Sequence, residues 1–205
     1  TTVPETNVTP PAIEEANGRR VLENDLYRLE VSEQTGAIIS LYDKDIDREL
    51  VDAKSPYGLN ELVYDAGQPP SPVGRLRPAS ARVESIIRHP FATTMVVTTS
   101  CGKVTSLRAE ITLYDHVKRI DIRNVLDKEQ TYDKEAVYLA FPFRVPDGTF
   151  RLQGPTCVTV PERDQLAGGT RDWYSVQDYI DISNPRFGVT WSSVDAPLVS
   201  LCDIN

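Results

Sequence analysis

Short segments that alternate apolar and polar residues recur along this chain, and no stretch longer than about ten residues keeps helical spacing. The alternation is clear in residues 26–31, 107–113 and 119–123, and polar, turn-sized segments separate such runs. Residues 81–123 hold four runs in quick succession, which is typical of an antiparallel meander. The whole pattern predicts about eleven or twelve short strands, and therefore an all-β fold of the antiparallel β-sandwich type.

The length of 205 residues suits one large β domain. Residues 1–20 contain three prolines and show no periodicity, so we expect a linker or an N-terminal arm there, with the β-sandwich domain over residues 21–205. Residues 68–74 also hold three prolines and are predicted to form a loop, because proline lacks the donor that a central strand needs. The sequence has neither an initiator Met nor a signal-peptide pattern, and we expect it to be part of a longer chain.

Composition narrows the classes of partner. The net charge of −8 disfavours nucleic acid and an anionic membrane surface, since no basic stripe is present. No run of about 18 apolar residues occurs, so no membrane-spanning segment is predicted. The three cysteines, Cys101, Cys157 and Cys202, are odd in number and form no CxxC motif, which favours reduced thiols and a cytoplasmic location, with one disulfide as the alternative.

The residue types that usually carry catalysis or metals are sparse. His89 and His116 lie in predicted turns without HxH or HExxH spacing, so no metal site is predicted. No GxSxG motif, P-loop or dinucleotide-binding glycine motif occurs. Two carboxylate pairs within one loop, Glu162 with Asp164 and Asp172 with Asp178, have the residue types that glycoside hydrolysis needs, but solvated turn acids have the same pattern. We therefore predict no catalytic residue.

One polar loop combines the groups that bind sugars. It turns at Gly168 and Gly169, continues with Arg171-Asp172-Trp173-Tyr174, and leads into a predicted strand over residues 179–182. Planar polar groups pair with neighbouring sugar hydroxyls, and an aromatic ring covers the C–H side of the sugar. The alternative is a surface loop whose two aromatic side chains fold onto the edge of the core.

Several ordered motifs resemble the C-terminal β domain of family 38 glycoside hydrolases, the retaining, zinc-dependent α-mannosidases. The first three motifs are an N-x-x-Y strand, a T-G turn with an I-x-S-L-x-D-K strand, and an R-E-L-V-D tail. The motifs that carry the resemblance occupy residues 24–31, 35–44, 48–52, 141–143, 161–166, 172–177, 180–184, 188–191 and 195–199.

The resemblance implies a galactose-mutarotase-like supersandwich, of which this chain ends before the last strands. It also implies that zinc and the carboxylate nucleophile belong to an N-terminal catalytic domain, so that this chain alone is inactive and no cofactor binds to it. Catalytic and linker domains of the same parent chain would then be its partners, with an α-mannoside as the carbohydrate. The resemblance places substrate-binding residues only in the matching loop, at Asp164, Gln165, Trp173, Tyr174 and Gln177.

Two other functions remain open at this point. The chain has the loop of a free-standing carbohydrate-binding module, with Trp173 and Tyr174 as its platform. A mutarotase-like enzyme on the same fold is less favoured, because it needs a general acid and a general base across the sugar ring.

Overall fold

A computed structural model describes residues 12–16, 19–67 and 75–201. Within these ranges the regular structure consists of strands and turns, and no residue is helical. The strands are β1 (Ala12–Ala16), β2 (Arg19–Glu23), β3 (Tyr27–Ser32), β4 (Ile38–Asp43), β5 (Arg48–Glu49), β6 (Glu61–Asp65), β7 (Arg75–Leu76), β8 (Ala81–His89), β9 (Ala92–Cys101), β10 (Val104–Tyr114), β11 (Ile120–Lys128), β12 (Ala136–Ala140), β13 (Thr149–Gln153), β14 (Val158–Thr159), β15 (Tyr174–Ser175), β16 (Ile180–Ser183), β17 (Gly188–Trp191) and β18 (Leu198–Val199).

These strands confirm the predicted all-β, antiparallel fold class. The part of the chain that the structure describes also contains no helix long and apolar enough to cross a membrane. The predicted loop over residues 68–74 lies outside the described residues, as does most of the predicted arm over residues 1–20.

The described residues form eighteen strands, more than the eleven or twelve predicted, and β1, β2, β7 and β15 are among those that the sequence pattern did not predict. β1 falls within the predicted arm and pairs with β2 in antiparallel register, from Ala12 opposite Glu23 to Ala16 opposite Arg19. β7 and β15 are only two residues long, too short for any periodicity to appear. Each of these four segments is a strand because it pairs with a neighbouring strand, and such pairing is a tertiary interaction that the local sequence pattern does not show.

The chain divides into two compact units, Thr1–Arg144 and Val145–Asn205. The first unit contains three sheets, with strand orders β1-β2-β3-β4-β5, β11-β10-β9-β8 and β12-β6-β7. In β3 the side chains of Tyr27, Leu29 and Val31 are buried, and the residues between them are half-buried. This alternation matches the two-residue period of a strand that packs one face on the core.

The four-stranded sheet of the first unit confirms the predicted meander, because β8, β9, β10 and β11 pair in sequence order. On β10, Leu107, Ala109, Ile111 and Leu113 are buried. Leu107 packs in a core cluster with Leu62 and Tyr64 of β6. Full burial of one large apolar side chain contributes about 1.5–3 kcal/mol. The residues between these buried ones lie on the other face of the sheet, and Tyr114 is the last of them on β10.

The second unit contains two sheets, with strand orders β14-β13-β16-β17 and β15-β18. Its core cluster consists of Leu152, Tyr174, Val176 and Ile180. The side chains of Phe150, Trp191, Val199 and Leu201 pack against that cluster.

Two of the three cysteines are described, and both are free thiols. Cys101 is buried in the core of the first unit, and burial raises the pKa of its thiol. Cys157 is exposed in the second unit. Cys202 lies outside the described residues.

Candidate functional site

The predicted sugar-binding residues all lie in one segment of the second unit, residues 160–178, which we call the 160–178 loop. Its first end follows β14, which pairs with β13 through Leu152 opposite Thr159 and Gln153 opposite Val158. Near its other end, β15 pairs with β18. Both ends are therefore paired with strands that contribute to the core of the unit, β13 through Leu152 and β18 through Val199.

A carboxylate closes the first turn of the loop. The backbone N–H of Val160 donates to Asp164 Oδ2 at 2.8 Å, and the backbone N–H of Asp164 donates to the Val160 carbonyl at 3.1 Å. The Arg163 side chain donates to both carboxylate oxygens of Asp164, at 2.8 and 3.0 Å. These hydrogen bonds, with the Arg163 guanidinium as the largest cause, lower the pKa of Asp164 to about 2. Asp164 is therefore an exposed, ionised acceptor near neutral pH.

The amide of Gln165 joins three parts of the loop. Its Oε1 accepts hydrogen bonds from the Glu162 backbone N–H at 2.9 Å and from the Tyr174 hydroxyl at 3.3 Å. Its Nε2 donates to the Thr170 carbonyl at 3.3 Å. Because both ends of the amide are used inside the loop, Gln165 holds the loop in shape.

The tip of the loop is open to solvent. Gly168 has a φ of +84°, and a Cβ added there would meet no atom within 4 Å. Leu166, two residues earlier, is 89% exposed. Behind the tip, Arg171 Nη1 lies 3.3 Å from Glu162 Oε1 and forms an ion pair across the loop. The conformation of the tip thus follows from backbone geometry and polar crosslinks without apolar packing.

The two aromatic residues of the loop occupy different environments. Tyr174 is only 9% exposed, and its ring packs in the core cluster of the second unit. Trp173, its neighbour, is half-buried. Consecutive residues of an extended segment point to opposite sides, which explains why only one of the two enters the core.

Gln177 follows after the buried Val176 and is exposed. Its backbone N–H donates to the Gln153 carbonyl at 2.9 Å, and the next residue, Asp178, donates its backbone N–H to Gln153 Oε1 at 2.9 Å. Gln153 at the end of β13 therefore holds the exit of the loop. No sequence signal pointed to Gln153, because its role depends on pairing between distant segments.

The structure joins some of the predicted site residues directly. Gln165 and Tyr174 share a hydrogen bond, and both have structural roles in the loop. Asp164, Trp173 and Gln177 keep side chains that are exposed or half-buried. Of the predicted site residues, these three are therefore accessible to a ligand, whereas the amide of Gln165 is used inside the loop and Tyr174 is buried.

Each carboxylate of the pair Glu162 and Asp164 has its own arginine partner, Arg171 and Arg163 respectively. A general acid needs a raised pKa, and the pKa of Asp164 is lowered. The arrangement suits hydrogen bonding to hydroxyl groups rather than proton donation. Among residues 12–16, 19–67 and 75–201, no three His, Cys, Asp or Glu side chains are grouped closely enough to hold a metal ion.

The chain matches a known family model over most of its length. The family model described as "Glycosyl hydrolases family 38 C-terminal domain" matches residues 22–190, a range that includes the whole 160–178 loop. A search of curated proteins returned no match.

Proposed function

Because this chain belongs to the family of glycosyl hydrolase family 38 C-terminal domains, we propose that it is the non-catalytic β domain of an α-mannosidase-like retaining hydrolase. In this proposal the chain packs on the catalytic domain of the same parent protein. Its 160–178 loop then forms part of the wall of the sugar pocket. The carboxylate nucleophile and the zinc ion would both belong to that catalytic domain, outside this chain.

The observation that carries the proposal is the fixed conformation of a polar loop within the matched range. Hydrogen bonds from Gln165 and the burial of Tyr174 order the loop before any ligand arrives. A loop that is already ordered loses little conformational entropy on binding, and its contacts therefore contribute more to affinity.

Three side chains are proposed to contact the sugar. The ionised carboxylate of Asp164 accepts hydrogen bonds from sugar hydroxyls, since hydrogen bonds to charged groups are the stronger ones. The Gln177 amide both donates and accepts, which suits a pair of neighbouring hydroxyls. The Trp173 indole provides an apolar face for the C–H side of the ring. Gln165 and Tyr174 act as positioning residues.

The test uses the full parent protein and a chromogenic α-mannoside. Trp173→Ala is expected to raise KM by about tenfold and to leave kcat within about twofold, because it removes contacts that the bound ground state and the transition state share. Arg186→Ala serves as the control, since Arg186 is exposed in the turn between β16 and β17 of the same unit. Circular dichroism checks that both variants keep the native strand content.

An unchanged KM in both Trp173→Ala and Gln177→Ala would show that the loop does not contact substrate. The isolated chain provides the second arm of the test. In calorimetric titration of the isolated chain with α-linked mannobiose, the wild type and Trp173→Ala are expected to give the same heat, because the pocket needs the catalytic domain. Heat of binding that this substitution removes would instead support a free-standing carbohydrate-binding module.

A further inference from the structure

Two aromatic rings are stacked at one end of the β8–β11 sheet, in the first unit and apart in sequence from the 160–178 loop. Phe91 is in the turn between β8 and β9, and Tyr114 is the last residue of β10. Their ring centroids are 6.4 Å apart and their planes differ by 8°. Phe91 is 62% exposed. The two rings are therefore stacked, and Phe91 is the one that is largely exposed to solvent.

A charged pair lies beside these rings. The Arg119 side chain donates from Nε to Asp121 Oδ1 at 2.6 Å and from Nη2 to Asp121 Oδ2 at 3.0 Å. The Tyr114 hydroxyl donates to Asp121 Oδ2 at 2.8 Å, and the guanidinium carbon of Arg119 lies 5.7 Å from the Tyr114 ring centroid. The Arg119 guanidinium is the largest cause that lowers the pKa of Asp121, so this carboxylate stays ionised. We call Phe91, Tyr114, Arg119 and Asp121 the aromatic patch.

Ion pairs to two buried carboxylates hold the backbone around the aromatic patch. The backbone N–H of Asp115 donates to the Phe91 carbonyl at 3.0 Å, which ties the two turns together. The Asp115 carboxylate, 1% exposed, accepts two hydrogen bonds from Arg88 at 2.7 and 2.9 Å. Lys118 Nζ lies 2.8 Å from a carboxylate oxygen of the buried Asp43. The side chains of the aromatic patch therefore extend from backbone that is fixed in place.

The charges of this face are balanced. Arg119 is paired with Asp121, and the next exposed arginine along β11, Arg123, lies 3.4 Å from Glu110. A surface with paired charges has little net field and so gives no preference for phosphate or nucleic acid. Its paired carboxylate and guanidinium nevertheless offer acceptors and donors to a neutral ligand that is rich in hydroxyls.

From these observations we propose that the aromatic patch binds a neutral hexose unit of a glycan, at a site separate from the 160–178 loop. The C–H side of the sugar ring packs on Phe91, and its hydroxyls bond to Asp121 and Arg119. Only a ligand with both an apolar face and several hydroxyls uses all of these groups. The site would hold a glycan at a second point, through residues of the first unit that the proposed pocket wall does not use.

The test is an NMR titration of the isotopically labelled chain with methyl α-D-mannopyranoside and with α-linked mannobiose. Backbone amides of residues 91 and 114–121 are expected to shift as sugar is added. Phe91→Ala is expected to weaken binding by about tenfold or more, and Phe91→Trp to retain it, because tryptophan restores an aromatic face. Tyr132→Ala is the matched control, because Tyr132 is 98% exposed in the same unit but lies away from the aromatic patch. Tyr132 follows the C-terminal end of β11, and that end pairs with Val104, at the opposite end of β10 from Tyr114.

Three results would overturn the proposal. The first is an absence of shifts at residues 91 and 114–121 in the presence of millimolar sugar. The second is equal binding by the wild type and Phe91→Ala. The third is protection of these residues from hydrogen exchange in the sugar-free parent protein, which would show that another domain covers the aromatic patch. None of these outcomes depends on Trp173, so a failure here is distinguishable from a failure of the loop proposal.

Discussion

Replacing Gly102 with alanine is expected to destabilise the first unit more than a glycine substitution in an open loop. Gly102 lies in the turn between β9 and β10 with a φ of +58°. A Cβ built at this position would come 2.3 Å from a ring carbon of Tyr64. Tyr64 is 3% exposed and belongs to a core cluster, so its ring has little room to move.

The magnitude has two parts. The left-handed backbone conformation costs a residue with a Cβ about 1–2 kcal/mol. Overpacking against the Tyr64 ring adds about 1–3 kcal/mol. The reduced entropy of the unfolded chain offsets about 0.4–1 kcal/mol for any Gly-to-Ala change. We therefore expect the free energy of unfolding to fall by about 2–4 kcal/mol, a large share of the roughly 5–15 kcal/mol typical of folded domains.

Gly168→Ala isolates the backbone contribution. Gly168 also has a positive φ, of +84°, but a Cβ at this position would meet no atom within 4 Å. The backbone and entropy contributions are the same for Gly102→Ala and Gly168→Ala. The two variants should therefore differ in their loss of unfolding free energy by about 1–3 kcal/mol, which is the contribution of the clash with Tyr64. A second control is Gly102→Ala in a Tyr64→Leu background, where the cost should fall toward that of Gly168→Ala.

The assay must read each unit separately. Both tryptophans, Trp173 and Trp191, lie in the second unit, so tryptophan fluorescence in urea follows Gly168→Ala. Amide hydrogen exchange of β6, β9 and β10 follows Gly102→Ala. Equal costs for Gly102→Ala in the wild-type and Tyr64→Leu backgrounds would refute the clash as the cause.

Two further predictions concern charged groups. Arg88→Met leaves the Asp115 carboxylate buried without its guanidinium partner and should lower the free energy of unfolding, measured by urea denaturation, by about 3 kcal/mol. The control is Arg123→Met, at an exposed ion pair with Glu110, which should lower the free energy of unfolding by less than about 1 kcal/mol. Similar losses for the two variants would contradict this prediction. The pKa of Asp164 is lowered in the fold from 3.8 to about 2, so its ionised form stabilises the loop above pH 3.8 and this contribution is lost as the pH falls through 2. Carbon NMR of the carboxyl group should give a midpoint near 2, and a midpoint near 3.8 would show that the contact with Arg163 is absent in solution.

Much of the fold was predictable because the relevant signals are local. Alternation in residues 81–123 predicted the meander, and the structure confirms it as β8 to β11. The family resemblance, which depended on ordered motifs, is confirmed by the match over residues 22–190. β1 was not predicted, because its Ala-Ile-Glu-Glu-Ala sequence has no strand period and becomes a strand through its pairing with β2.

The candidate site was predictable as a segment, while the roles within it were not. Composition marked the loop as rich in sugar-binding residue types, and the resemblance selected Asp164, Gln165, Trp173, Tyr174 and Gln177. The structure divides these residues by exposure and by hydrogen bonding, and Tyr174 becomes part of the core. Whether the exposed members contact sugar stays a prediction.

The amino-acid sequence by itself determined the all-β class, the family and the position of the polar loop, since period, turn residues and ordered motifs are properties of neighbouring positions. Only the tertiary structure decided that Gln165 is used inside the loop, that Gln153 holds its exit, and that Phe91 meets Tyr114. Gln165 meets its partners within one irregular loop, where the backbone path decides which groups lie close together. Gln153 and Phe91 meet partners that are distant in sequence, through strand pairing and packing that no local pattern encodes.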